Sequence, residues 1–60
     1  MNGWKHGDRV EISDGEHAGK LGTITYIYSG GTIAVLLDGH GRSDNFAWSQ
    51  LRRPSQPELF

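Results

Sequence analysis

The side chains of this sixty-residue chain best suited to hold a metal or move a proton are His6, His17 and His40, with the carboxylates of Asp14, Glu16 and Asp38. A zinc site needs three or four side chains converging on one point, each steadied by an outer hydrogen-bond partner, and these six stand at no diagnostic spacing. Nor does any nucleophile stand beside an evident base and orienting group, and no glycine-rich loop runs into a helix that would cradle phosphates. A cofactor, a metal, a small-molecule substrate and catalysis are therefore not expected. What remains is the chemistry of recognition. Lys20 and Arg42, with His17 and His40, offer cationic and polar contacts, and Trp4, Tyr26, Tyr28 and Trp48 offer rings that stack on bases or grip a peptide.

The charge balance limits the first of these uses. Six Lys and Arg against seven Asp and Glu leave a formal charge of −1, too little for strong nonspecific attachment to a phosphate backbone. The cations, Lys5, Arg9, Lys20, Arg42, Arg52 and Arg53, are spread along the chain, so only the fold can gather some of them on one side. The rings also have a second use. A small β domain needs large side chains to fill its centre and cover its ends, so core or lid roles are expected for them, with Tyr28 and Trp48 the first candidates for exposure.

The elements that position these residues follow from alternation and from glycine. Val10 and Ile12 alternate with Arg9 and Glu11, the period-two pattern of a half-buried strand over residues 8–13. Asp14-Gly15 opens a turn-rich loop to Gly19. A second strand is expected over 21–28, rich in β-branched and aromatic residues. Ile24, Tyr26 and Tyr28 fall on one face of it, and Ile27 on the other breaks the alternation, which predicts a bulge or a two-faced strand. Gly30-Gly31 closes a hairpin. The third strand, 32–37, is apolar on both faces and is expected to be central. Asp38-Gly39-His40-Gly41 makes the next turn. A fourth strand over 42–47 points Phe46 inward, and Trp48-Ser49-Gln50 reads as one helical turn before a short last strand at Leu51. Four or five short strands with turns every eight to twelve residues predict an all-β fold, a small, strongly bent antiparallel barrel.

Gly7-Asp8, Val10, Ile12, Gly15, Gly19, Gly22 and Ile24 together resemble the KOW motif of transcription and ribosomal proteins. The resemblance covers residues 7–39, and Ala47-Trp48-Ser49-Gln50-Leu51-Arg52 is similar to the turn and last strand that close such domains. It implies an SH3-like barrel over 7–53, with an N-terminal arm at 1–6 and a flexible tail at 54–60. It makes Gly7, Gly15, Gly19 and Gly22 structural glycines, with Gly19 reversing the chain after the first strand. A positive φ is expected at Gly19, where a side chain would clash. The resemblance also implies a noncatalytic binding module that contacts RNA, the ribosome or RNA polymerase through loops and an exposed edge. The contact residues it implies are His17, Lys20, His40 and Arg42, to which the exposed-ring reading adds Tyr28 and Trp48 as partner-binding residues. Either the nucleic acid or a protein component of an RNA- or DNA-processing complex fits as partner.

The end of the chain, Gln56-Pro57-Glu58-Leu59-Phe60, resembles the peptide by which bacterial polymerases and repair proteins dock on the DNA sliding clamp. Gln56 would hydrogen-bond, and Leu59 and Phe60 would enter an apolar pocket. The alternative function is thus a protein–protein adaptor that binds one partner through Tyr28, Phe46 or Trp48 and hooks a second, such as the clamp, with the tail. The longest apolar run, 33–37, is too short to span a bilayer, and residues 1–6 carry no signal-peptide stretch. With no cysteine in the chain, a cytoplasmic protein with no membrane partner is expected.

Overall fold

The structure, a computed structural model, describes residues 3–55. Five antiparallel strands form one sheet: β1 Arg9–Ile12, β2 Leu21–Ile27, β3 Thr32–Leu37, β4 Asp44–Ala47 and β5 Leu51–Arg52. A single 3-10 turn, Trp48–Gln50, joins the last two. The order across the sheet is β4-β3-β2-β1-β5. The all-β reading with one helical turn before the last strand therefore holds, although the fourth strand starts at Asp44 rather than at Arg42.

The sheet has to roll. In a flat sheet, four strand spacings of about 4.8 Å would put β4 and β5 about 19 Å apart. Three residues of 3-10 turn at a rise of about 2 Å each cover well under half of that. The two edges are consequently brought round toward each other, and the enclosed face becomes the core. Val10, Ile12, Ile24, Ile33, Val35, Leu37, Phe46 and Leu51, drawn from all five strands, form one buried cluster, with Trp4 packed against it. Hydrogen bonds fasten the connecting turn at both ends. The Trp48 N–H donates to the Gly31 carbonyl at 2.9 Å, and the Ser13 N–H to the Gln50 carbonyl at 2.7 Å. The Gln50 side chain accepts from the Ala47 N–H at 3.0 Å and donates to Asp14 Oδ1 at 3.3 Å.

Two features of the strands depart from simple alternation. β3 is an interior strand, but β2 is the middle one. Apolar residues on both faces report that both faces are covered, which Ala34 satisfies at 5% exposure without β3 lying at the centre. In β2 the register against β3 slips between Ile24, opposite Val35, and Tyr26, opposite Ala34, leaving Thr25 as a bulge. The extra residue reverses the faces beyond it. Ile24 is fully buried, whereas Tyr26 and Tyr28 are 57% and 46% exposed, so the three do not share a face as strict alternation requires. The bulge that Ile27 foreshadows is its own explanation.

The glycines act in two ways. Gly7, Gly15 and Gly19 have φ near +90°, a conformation side chains disfavour. At Gly19 an added Cβ would meet nothing within 4 Å, so the expected clash is absent and the cost of a side chain there is that of the backbone conformation alone. Gly22 is the opposite case. It lies across from Leu37, and a Cβ would stand 2.7 Å from the Leu36 carbonyl oxygen and from Val35 Cγ1, and 3.0 Å from Leu37 Cα.

Glu11 closes the fold on its outer side. It is only 6% exposed, accepting from Arg52 on β5, from the Ser55 N–H at 2.8 Å and from Ser55 Oγ at 2.9 Å. These donors, Arg52 foremost and then Ser55, hold its carboxyl at about 2 against the pull of burial in the other direction. The clasp fixes the segment after β5 across β1. At the other end of that segment, the Arg53 guanidinium sits 4.7 Å over the Trp4 ring and 3.8 Å from Asp8.

Two predictions follow from these contacts. Gly19→Ala should cost about 1 kcal/mol, lowering Tm by about 4–8 °C, and Gly22→Ala should cost more, about 2–3 kcal/mol, because backbone and a core valine must shift. Thermal melts that leave Gly19→Ala unchanged, or rank it above Gly22→Ala, contradict this. For Glu11, a folded-state pKa of about 2 against an ordinary 4.5 means a stabilising contribution that is complete above 4.5 and lost as the pH falls from there toward 2. Denaturant midpoints should then show Glu11→Gln less stable than the parent at neutral pH, with the gap narrowing through that acid window. A gap independent of pH refutes the clasp.

Candidate partner-binding surfaces

The loop after β1 is built from two tight reversals. The Ala18 N–H donates to the Gly15 carbonyl at 3.1 Å and the Lys20 N–H to the His17 carbonyl at 3.0 Å, while Gly19 N–H to Ile12 C=O at 2.8 Å ties the loop back to β1. The connection from β3 to β4, residues 38–43, starts with the Asp38 N–H donating to the Leu21 carbonyl at 2.9 Å. This puts it at the same end of the sheet as the first loop. Asp38 is also gripped by Arg9 through two parallel bonds of 2.8 and 2.7 Å, which hold its carboxyl below the usual carboxylate range. Arg9 donates further to Thr23 at 2.9 Å, so one guanidinium braces the connection from across β2.

At this loop end His17, Lys20 and His40 come together. The rings of His17 and His40 meet edge to face at 5.9 Å, and His17 also packs edge-on against the core ring of Phe46 at 6.0 Å. Lys20 Nζ stands 3.4 Å from His17 Nδ1. Arg42 is exposed on the same connection. Phe46 thus serves as the floor on which His17 is set, a role that neither its inward place in the fourth strand nor its inclusion among the adaptor's contact rings reveals. No group of three or more His, Cys, Asp or Glu able to hold a metal occurs among the described residues.

The cations sort into two groups. Arg9 pairs with Asp38, Arg52 with Glu11, and Arg53 with Asp8. Lys5, Lys20 and Arg42 have no carboxylate partner among the described residues, which leaves two of these three at or beside the histidine pair.

Tyr28 and Trp48 lie at the opposite end, around the β2–β3 hairpin. Trp48 is 50% exposed and covers Gly31, where an added Cβ would stand 3.0 Å from its ring. Tyr26 and Tyr28 form an edge-to-face pair at 4.7 Å. Core or lid roles hold only for Trp4, which is half-buried; the other three rings are on the surface because the bulge turns both tyrosines outward and Trp48 starts a turn that faces solvent. The structure therefore separates the expected site residues into a loop-end group and a hairpin-end group. Gln56, Leu59 and Phe60, the residues of the sliding-clamp reading, lie outside the described residues. No helix among the described residues is long and apolar enough to cross a membrane.

No curated protein matches the chain. The family model of the KOW motif matches residues 6–37, which spans β1, the glycine loop, β2 and β3, the segment whose glycine spacing and strand pairing are described above. With more than half of its length matched, the chain belongs to the KOW-motif family, a small binding module of the kind associated with ribosomal and transcription proteins.

Proposed function

We propose that this chain is a noncatalytic binding module that engages the nucleic acid of an RNA- or DNA-processing complex through its loop end, with Lys20 and Arg42 meeting phosphate and His17 and His40 providing the adjoining polar surface. The observation that carries this is the convergence of the two connections, which sets the His17 and His40 rings 5.9 Å apart with Lys20 Nζ beside them. Internal pairing of Arg9, Arg52 and Arg53 keeps the electrostatic footprint small. Attachment then relies on few phosphates and on neighbouring protein in the complex, in accord with a net charge of −1.

The exposure of Tyr28 and Trp48 favours a second reading for the hairpin end, an adaptor surface for protein. The two differ in salt dependence. Two phosphate contacts give a log–log slope of about −1.4 on a single strand, so raising salt fourfold should weaken binding roughly sevenfold. An aromatic protein interface responds mildly. Fluorescence anisotropy with a short single-stranded RNA should show that salt response for the intact chain, and a halved slope for Lys20→Ala. Absence of RNA binding at low salt, or a slope that Lys20→Ala and Arg42→Ala leave unchanged, removes the loop-end reading.

A further inference from the structure

β1 stops short of the end of β2. Its last bonds are Ile24 N–H to Asp8 C=O at 2.9 Å and Gly7 N–H to Ile24 C=O at 2.8 Å, after which the chain turns away at Gly7, leaving residues 25–28 with β3 on one side and, among the described residues, no strand on the other. The Tyr28 N–H donates to the Thr32 carbonyl, which makes Tyr28 and Thr32 a hydrogen-bonded pair. By the alternation of an antiparallel ladder, Ile27, opposite Ile33, then turns its N–H and C=O away from β3, toward the vacated side. This overhang also carries three of the four large exposed hydrophobic side chains among the described residues, Tyr26, Ile27 and Tyr28. From Leu21 to Leu37 the sequence has no charged residue and no proline, so the edge lacks the charge and proline guards of a free strand.

We propose that this edge pairs with the same edge of a second copy of the chain, antiparallel and centred on Ile27. Tyr26 and Tyr28 flank Ile27, so a two-fold axis through Ile27 sets a tyrosine opposite a tyrosine on both sides of it. Each Ile27 N–H would donate to the other copy's Ile27 C=O. Tyr26 of one copy would face Tyr28 of the other in the closer, non-hydrogen-bonded type of pair, where aromatic side chains interact across strands. Both tyrosines already lie on one face in mutual contact, so the pairing gathers four rings into one cluster. With no charge on either edge there is no repulsion to overcome. The occupant of the hairpin end in the adaptor reading is thereby specified, and the loop end stays open in both copies.

Sedimentation of the full chain from about 10 μM to about 1 mM, the range suited to a small interface, should show the mean mass rising from 6.6 kDa toward twice that value. The double variant Y26K/Y28K, altered only at exposed side chains, should stay monomeric while still melting cooperatively, whereas Trp48→Ala should associate like the parent. Hydrogen exchange should show the Ile27 amide protected at high concentration and open at low concentration. A parent chain that stays monomeric throughout, a double variant that still dimerises, or an Ile27 amide indifferent to concentration overturns the self-pairing. If that amide becomes protected only when purified ribosomes or RNA polymerase are added, self-pairing is again overturned, but the protein-binding reading of this end survives.

Discussion

The rest of this structure depends on the shortness of the Trp48–Gln50 turn. A single five-stranded sheet has two faces and two edges, and sixty residues supply enough apolar side chains for one enclosed face only. Tying one edge to the other through three residues removes the choice between a flat sheet and a rolled one. The core positions on all five strands are then forced to converge. Gln50, bonded to Ala47, Ser13 and Asp14, holds that turn to the glycine loop, so the connection that rolls the sheet also seats the loop carrying His17.

Much of this was legible in the sequence. Val10, Ile12, Ile24, Ile33, Val35 and Leu37 announce their burial by type and spacing, and the glycines mark the reversals because few other residues adopt those angles. The loop-end group was legible by residue type, since His17, Lys20, His40 and Arg42 sit in turn-rich stretches; their convergence, however, depends on β2–β3 pairing, which sequence spacing does not display. Two kinds of feature were hidden. The bulge at Thr25 was signalled only by Ile27, yet it decides the exposure of two tyrosines. Glu11, polar in an alternating strand, reads as a solvent-facing residue, and its burial arises from Arg52 and Ser55, more than forty residues away. Nonlocal partners leave no mark on local periodicity.

The distribution of charge has a similar logic. A chain with nearly equal numbers of acids and bases can either scatter them in solvent or use them to fasten loops, and here three of the arginines do the latter. Arg9 braces a connection, Arg52 seals a strand edge, and Arg53 lies against a tryptophan. Composition alone therefore overstates the positive surface on offer.

The contact between Arg53 and Trp4 places the entry and the exit of the compact unit side by side. A host protein could accept such a unit within one of its own surface loops without being stretched, since both junctions would occupy a single spot. For the same reason, joining the ends and opening the chain at an exposed turn, such as Ser29-Gly30, would preserve every strand neighbour while relocating the termini. The architecture is thus indifferent to where its covalent thread begins, provided the edges still meet.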